Sequence, residues 1–534
     1  MRGFLIIIVL AMAAFARPAA ALDPGAVERL AFGESDEKVQ AISALVAEGD
    51  PRAIDLFQAL SEGEVQTAGK RVLIVRADQA VDALTGDKVS PLPAEREDVV
   101  ANNRLRAALA AAVAALRLVS ADRATRLAAA RGLAGGADEA ILPLVKKALE
   151  KETDAEIRPL LDQIAATIEI RTGSKEARIA ALRKLGLSSN PATKTALLSL
   201  LERNPDGSPV EADEAIRIEA ETSLRAVEGR LAWGQRAGLL FAGISLGSVL
   251  LLAALGLAIT YGLMGVINMA HGELMMVGAY TTYTVQNLFR AHVPESAFDW
   301  YLVCAVPASF AVAAMVGMVL ERTVIRWLYG RPLETLLATW GISLILIQAV
   351  RTVFGAQNVQ VENPAFMSGG IEILAGVVLP WNRIVIILFA AAVLAGMWLL
   401  LMRTRLGLFV RGVTQNRAMA SCVGVPTARV DTWAFGLGCG IAGLAGCALS
   451  QIGNVGPDLG QSYIVDSFMV VVFGGVGQLA GTVYAALVLG LVNKFIESWS
   501  GAVIAKIVVL VFIIFFIQRR PQGMFALKGR AVEA

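Results

Sequence analysis

The stretch GLLFAGISLGSVLLLAALGLAIT, residues 238–260, carries no charged side chain and decides the fold class of this chain. A helix of this length is long enough to cross the hydrocarbon core of a bilayer. Further apolar stretches follow at about 267–289, 300–320, 334–354, 381–402, 431–451, 465–478, 480–496 and 501–517. The pattern predicts an all-α, polytopic membrane domain over residues 237–520 with about eight or nine spans.

Composition divides the chain into two parts near residue 236. The 534 residues include 48 Lys+Arg and 46 Asp+Glu. Residues 1–236 hold 31 of these bases and 34 of these acids, so about 28% of that part is charged, against about 10% of residues 237–534. Soluble domains average roughly a quarter charged residues, which excludes a soluble enzyme for the second part. Neither part has the dense basic patch of a nucleic-acid-binding protein, so we expect no nucleic-acid partner.

The first 21 residues have the organisation of a secretory signal peptide. Arg2 provides the positive end, an apolar run extends from Phe4 to Phe15, and small residues follow Pro18. The run is short for a bilayer span, although a permanent membrane anchor is the alternative. We therefore expect the chain from Leu22 onward to begin outside the cytoplasm.

The distribution of basic residues agrees with this orientation. If the chain starts outside and successive apolar stretches cross the membrane in alternate directions, the basic stretches at 321–331, 403–429 and 519–530 lie in the cytoplasm. They carry 12 of the 17 bases of the second part, namely Arg322, Arg326, Arg331, Arg403, Arg405, Arg411, Arg417, Arg429, Arg519, Arg520, Lys528 and Arg530. Positive residues concentrate on the cytoplasmic side of membrane proteins. The pattern predicts a multi-pass protein whose C-terminal tail, residues 521–534, is cytoplasmic.

Residues 22–232 are predicted to form an exported, wholly helical domain. Residues 38–45, 124–131 and 176–183 resemble one another, and turn-rich segments separate them from second apolar helices at 53–60, 141–149 and 196–201. Such repeated pairs are typical of a HEAT-like solenoid, with residues 85–94 expected as a loop. The solenoid either binds a protein or acts as a structural cap or spacer. It contains no histidine or cysteine, and we expect no catalytic site in it.

The first polar motif of the membrane domain is YGLMGVINMAHGEL, residues 261–274. It places Asn268, His271 and Glu273 in or beside an apolar span. Ionisable groups are costly inside a membrane, so these residues are candidates for a translocation path or gate. The alternative is that they lie at the cytoplasmic interface and stabilise a helix bend by hydrogen bonding.

The second motif is the basic loop 403–430. Thr414 is predicted to cap a short helix over 415–423, which Gly424 ends and Pro426 prevents from continuing. So short a helix is unstable alone in water and must dock, either on a separate motor subunit or on the membrane surface. The candidate coupling residues are Arg417, Ala418, Met419, Ala420, Cys422, Val423 and Gly424.

The third motif, residues 453–466, leads from an outward loop into a short apolar segment interrupted by glycines. Its polar residues either line a path for a small polar solute or cap helix ends, and they are Asn454, Gln461, Tyr463 and Asp466. The sequence contains no GxxxxGK[ST] phosphate-binding loop, so ATP-driven transport requires a separate ATPase chain. The cysteine spacing matches no metal motif, and we expect no metal or cofactor in this chain.

Residues 262–273 and the loop ending at 418–424 resemble the permease family of bacterial branched-chain amino acid and amide ABC importers. Residues 330–343, 363–370 and 453–466 resemble its urea-type permease subunit, which also carries a long exported helical extension. The Glu-Ala-Ala triplet of coupling loops in related importers is degenerate here. The resemblance implies an inner-membrane complex with a homologous second permease subunit, two ABC ATPase subunits and an extracytoplasmic solute-binding protein.

The sequence is therefore interpreted as a non-enzymatic permease subunit that translocates urea or a short-chain amide across the inner membrane. A branched-chain amino acid permease is the alternative within the class, and its zwitterionic substrate should require charged or helix-end partners. Two alternatives belong to other classes. One is a passive urea channel, and the other is a membrane-anchored scaffold that acts through the exported domain.

Overall fold

A computed structural model describes residues 22–525 except 77–78, 92, 94, 135–138 and 375–376. The predicted signal peptide, residues 1–21, and the last nine residues of the predicted tail lie outside the described residues. The chain divides into two compact units, one ending at Ala232 and the other beginning at Trp233. Each unit is described by itself.

The first unit is largely helical. Its helices are α1 Pro24–Phe32, α2 Ser35–Glu48, α3 Ala53–Glu62, α4 Asn103–Arg117, α5 Arg123–Leu133, α6 Leu142–Lys151, α7 Ile157–Thr172, α8 Lys175–Leu185, α9 Pro191–Leu201 and the first part of α10 Glu214–Met264. Several of these helices begin after a residue whose side chain caps the first turn. In α5, for example, the Asp122 carboxylate accepts the Thr125 N–H at 2.8 Å. All six predicted repeat helices fall on observed helices, whereas their assignment to the HEAT type stays a prediction.

The prediction that this unit is wholly helical is wrong. Five strands among the described residues between 65 and 98 form an antiparallel sheet in the order β4-β3-β2-β1-β5. Its strands are β1 Val65–Ala68, β2 Arg71–Arg76, β3 Gln79–Asp82, β4 Lys88–Val89 and β5 Glu97–Asp98. Ala68 pairs with Arg71, which leaves a two-residue turn with Gly69 at φ 62°. The β-branched residues around this glycine favour a hairpin, and β4 lies within the predicted loop 85–94.

The second unit contains the remainder of α10 and ten further α-helices among its described residues, most of them long and apolar. They are α11 His271–His292, α12 Tyr301–Thr323, α13 Pro332–Phe354, α14 Trp381–Arg403, α15 Arg405–Gln415, α16 Arg417–Cys422, α17 Thr427–Ser450, α18 Leu459–Gly474, α19 Leu479–Ser500 and α20 Ala502–Arg519. A hairpin of β6 Gly370–Leu374 and β7 Val377–Pro380 precedes α14, so this unit is not purely helical either.

Seven helices in the described part of the chain are long and apolar enough to cross a membrane. They lie within Glu214–Gly262, Glu295–Thr323, Pro332–Phe354, Trp381–Arg403, Thr427–Ser450, Leu479–Ser500 and Ala502–Arg519. The other two predicted spans correspond to α11, which is long but carries polar residues, and to α18, which has only 16 residues. The finding supports a polytopic helical membrane protein, and the count of eight or nine crossings stays a prediction.

The centre of the second unit is α17, whose residues are almost all buried. Small residues let neighbouring helices approach its backbone closely. A Cβ built on Gly440 would lie 2.5 Å from the Phe310 ring of α12, and one on Gly436 would lie 2.6 Å from Met318. The GxxxG spacing of Gly436 and Gly440 thus places two glycines where α12 packs closely against α17.

Candidate functional site

One cavity of the second unit has a volume of about 540 Å³. Its walls come from the end of α17, the loop after it, the start of α18, the end of α19 and the start of α20. Three residues predicted for the translocation path, Asn454, Tyr463 and Asp466, line this cavity. The fourth, Gln461, is exposed on α18 and does not line it. The third sequence motif therefore does border a space large enough for a small solute.

The ionic side chains among the described lining residues are paired. Lys506 Nζ lies 3.1 Å from Asp466 Oδ2, and Lys494 Nζ lies 2.8 Å from Glu497 Oε2. Asp458 accepts a 2.7 Å contact from Arg351. Neutral polar groups also line the cavity, from Asn358, Asn454, Ser462, Tyr463 and Asn493. The cavity thus combines amide and hydroxyl groups with charges that already have partners.

The Asn268–Glu273 motif forms a turn between two helices. Helix α10 ends at Met264, Gly265 follows at φ 66°, and α11 begins at His271. The side-chain oxygen Oδ1 of Asn268 accepts the Ala270 N–H at 3.0 Å, and His271 Nε2 lies 3.0 Å from the backbone carbonyl oxygen of Ala253. This geometry favours the alternative interpretation, in which the motif stabilises a break between two helices.

Glu273 lies in the first turn of α11 and is almost completely buried. Ser343 of α13 donates to its Oε1 at 2.9 Å. Glu273 Oε2, His271 Nδ1 and Asn268 Nδ2 are buried without a hydrogen-bond partner among the described residues. A Cβ on Gly460 would lie 2.7 Å from Glu273 Oε2. The motif therefore packs directly against the first turn of α18, which forms a wall of the cavity.

The three residues of this motif do not line the 540 Å³ cavity. Asn268 instead borders a smaller, apolar cavity of about 110 Å³ together with Tyr261 and Phe468. The predicted path residues are thus divided between a cavity wall, a buried helix break and one exposed position. All seven residues are polar and lie in or beside apolar segments, so their sequence pattern is the same. Only their contacts in the folded structure show which of the three environments each residue occupies.

The basic loop 403–430 contains two helices, α15 and α16. The prediction that Thr414 caps a helix over 415–423 is wrong. Thr414 lies within α15 and donates to the Val410 carbonyl at 2.8 Å. Asn416 caps α16 by accepting the Met419 N–H at 2.9 Å. The predicted end is confirmed, since Gly424 has a φ of 86°, which favours glycine.

Helix α16 and Val423, the residue directly after it, expose apolar side chains. Met419 is 61% exposed and Val423 is 73% exposed, and Ala418 and Cys422 are exposed as well. Ala420 is buried in a small cluster with Val410, Val413 and residues of α17. A six-residue helix held on one side and apolar on the other fits the expectation that it docks on another surface.

Two acids that were not singled out from the sequence, Asp431 and Glu321, lie beside this helix and pair with arginines. Arg417 makes two hydrogen bonds to the carboxylate of Asp431, a fully buried residue at the start of α17. Arg326 pairs with the fully buried Glu321 at 3.2 Å. Asp431 and Glu321 are acids within otherwise basic stretches, and this departure from the charge pattern is the signal that could have identified them.

Comparison with known proteins places the second unit in a family. The family model for the branched-chain amino acid transport system permease component matches residues 239–517. The high-affinity branched-chain amino acid transport system permease protein BraD of Pseudomonas aeruginosa is 28% identical over 53% of this chain and 93% of its own length. The corresponding LivH protein of Escherichia coli K12 is 26% identical over 53% of this chain and 94% of its own. No solved structure matches the chain.

Proposed function

The chain belongs to the family of branched-chain amino acid transport system permease components, and from this premise we propose that it is the permease subunit of an ATP-driven importer. ATP would be hydrolysed by two separate ATPase subunits, and a homologous second permease subunit and an extracytoplasmic solute-binding protein would complete the complex. The N-terminal unit would lie outside the inner membrane and the C-terminus inside. The exposed apolar side of α16 supports this proposal, because it offers a docking surface next to the membrane helices.

For the solute, we propose urea or a short-chain amide. The observation that carries this choice is the lining of the 540 Å³ cavity. Urea is neutral and forms hydrogen bonds through each of its heteroatoms. The amides of Asn358, Asn454 and Asn493 match these needs, whereas the cavity's ionic groups are already engaged in ion pairs. Transferring a neutral polar solute past paired charges avoids the cost of breaking those pairs.

A branched-chain amino acid is the second candidate solute. It is favoured by the names of the relatives, which are called branched-chain amino acid permeases. A zwitterion needs one positive and one negative partner, and Asp466 and Lys506 could supply them if their 3.1 Å pair opened around the solute. The two candidates therefore differ in whether this pair stays closed during transport.

Uptake by the reconstituted complex tests the proposal. The permease would be inserted into vesicles with its partner permease, ATPase chains and binding protein, and ATP-dependent uptake of labelled urea would be measured. We expect an excess of unlabelled leucine to leave this uptake unchanged. ATP-dependent uptake of labelled leucine but not of urea would establish the second candidate. Urea flux that continues without ATP would contradict the importer.

Two substitutions test whether the solute passes through the 540 Å³ cavity. Asn454→Ala removes a lining amide and should lower urea uptake, because the solute loses a hydrogen-bond partner. Gln461→Ala is the matched control, since Gln461 is an exposed amide in the same motif that does not line the cavity. Equal effects of the two substitutions would argue against this cavity as the path.

A further inference from the structure

Two carboxylates are fully buried where the basic loops meet the membrane helices. Asp431 lies in the second turn of α17, and Glu321 belongs to the last turn of α12. Burying an unpaired carboxylate is strongly unfavourable, so buried acids are retained with partners of opposite charge. Here each acid faces one arginine, Arg417 for Asp431 and Arg326 for Glu321.

The Arg417–Asp431 pair joins helix α16 to the central helix α17. Arg417 is the first residue of α16, and its two terminal nitrogens contact the two carboxylate oxygens of Asp431. The guanidinium also lies over the Tyr329 ring, 5.1 Å from its centroid. The planar guanidinium thus has a fixed orientation that a single point charge would not have.

The second pair holds the first in place. The Tyr329 hydroxyl donates to Glu321 Oε1 at 3.0 Å, and Thr432 donates to Glu321 Oε2 at 2.6 Å. Arg326 in turn donates to the Thr432 hydroxyl at 3.1 Å. Helices α12, α16 and α17 are therefore linked by two groups of hydrogen bonds and ion pairs, which meet where Arg417 lies over the Tyr329 ring and where Asp431 and Thr432 follow one another in α17.

Helix α17 connects this set of contacts to the cavity. It runs from Thr427 to Ser450, about 36 Å at helical rise, and Leu449 lies in the cavity wall. Its glycines are in close contact with α11 and α12, so α17 cannot bend freely within the unit. A displacement at Asp431 is therefore transmitted along a packed helix rather than absorbed locally.

We propose that the Arg417–Asp431 pair, oriented by Tyr329 and Glu321, is the joint through which movement of α16 is passed to α17 and to the cavity. Arg417 and Asp431 act as positioning residues and contact neither ATP nor the solute. The inference rests on the proposed function as an ATP-driven permease. It adds which residues carry the coupling, and it explains why two acids persist in otherwise basic stretches.

The test separates transport coupling from ATP hydrolysis in the assembled complex. For each variant, solute uptake and ATP hydrolysis are measured in the same vesicles, and the ratio of the two is the readout. Asp431→Asn keeps the side-chain volume without a buried charge, and Arg417→Ala removes its partner. Both should lower the ratio by about tenfold or more, while basal ATP hydrolysis and the amount of assembled complex stay unchanged.

Matched variants make the result specific. Arg429→Ala removes an exposed arginine from the same loop and should change the ratio by less than about twofold. Arg417→Lys keeps the positive charge and should recover part of the coupling. The double variant Arg417→Ala/Asp431→Asn should be no worse than either single variant, because the two residues act as one unit.

Three results would contradict the proposed role of the Arg417–Asp431 pair. They are an unchanged ratio in Arg417→Ala, additive losses in the double variant, and loss of the assembled complex in both single variants, which would make the pair a folding element. A wild-type complex that imports no solute with ATP would instead contradict the proposed function. The two failures are therefore distinguishable in one set of vesicles.

Discussion

Replacing Gly446 by alanine should force the two central helices α11 and α17 apart. A Cβ at this position would lie 1.8 Å from the Met275 carbonyl oxygen and 2.9 Å from the Ala279 backbone nitrogen. Both neighbours are backbone atoms, so no side chain can move to make room. Since carbon and oxygen atoms in ordinary contact are about 3.5 Å apart, the helices must separate locally by roughly 1.5 Å.

This separation of the helices lowers the free energy of unfolding. A gap of 0.5 to 1 Å already removes about a quarter to a half of the dispersion energy between facing atoms, so contacts on both sides of Gly446 weaken. We therefore place the substitution at the upper end of the overpacking range, about 3 kcal/mol of unfolding free energy. The gain in helix propensity from glycine to alanine is only about 1 kcal/mol and does not offset it.

Thermal unfolding measured through buried thiols provides the assay. Cys439 and Cys447 are buried on α17, whereas Cys304 and Cys422 are exposed and would be replaced by serine. Reaction of the two buried thiols with a fluorescent maleimide then reports the opening of α17. For Gly446→Ala we expect the midpoint of this reaction to fall by about 5–10 °C.

Gly396→Ala is the matched control for this experiment. Gly396 lies in α14, and a Cβ there would meet no heavy atom within 4 Å. The control should unfold at the wild-type temperature or slightly above it, because it gains helix propensity without a clash. If Gly446→Ala unfolds at the same temperature as Gly396→Ala, the close contact between α11 and α17 does not exist as described.

Three further predictions concern helix α16 with its flanking residues and the first unit. Asp substitutions at Met419 and Val423 should abolish uptake in vesicles while the protein stays inserted, because both side chains are exposed in this chain and apolar; normal uptake would contradict the docking role. Asn416→Ala removes the cap of α16 at a cost of about 1 kcal/mol, and hydrogen exchange of the Met419 amide should become faster than in Thr414→Ala. In the first unit, the Arg123 guanidinium and a backbone N–H lower the pKa of Asp154 to about 2. The stabilisation from this pair should therefore be complete above pH 4, the range of an ordinary aspartate, and be lost as the pH falls towards 2. Hydrogen-exchange protection at the start of α7 should follow this curve, and Arg123→Ala should flatten it.

Much of the membrane unit could be predicted from the sequence. Each apolar stretch from 238–260 onward falls on an observed helix, because the length and hydrophobicity of a span are properties of contiguous residues. The GxxxG packing and the end of α16 at Gly424 were also predictable, since both depend on glycine itself. The sheet at 65–98 was missed although the residues around Gly69 carried a hairpin signal.

The candidate site was only partly predictable. Asn454, Tyr463 and Asp466 were placed beside a solute path for their polarity, and the fold does bring them to one cavity. The same argument selected Gln461, which is exposed, and His271, which is buried against Ala253. Polarity within an apolar segment marks a residue that needs a partner, but it does not say whether that partner is a solute or a backbone carbonyl.

The sequence by itself determined the division into a charge-rich first part and a charge-poor membrane part, the approximate helices of the latter, and the approximate position of the short helix α16. The tertiary structure alone decided that Asn416 is the cap, that the polar motif residues separate into distinct environments, and that Arg417 is paired with Asp431. The physical reason is the range of the interactions. Hydropathy and charge act over neighbouring residues, whereas contacts such as Thr432 with Glu321 join positions 111 residues apart and exist only once the helices have packed.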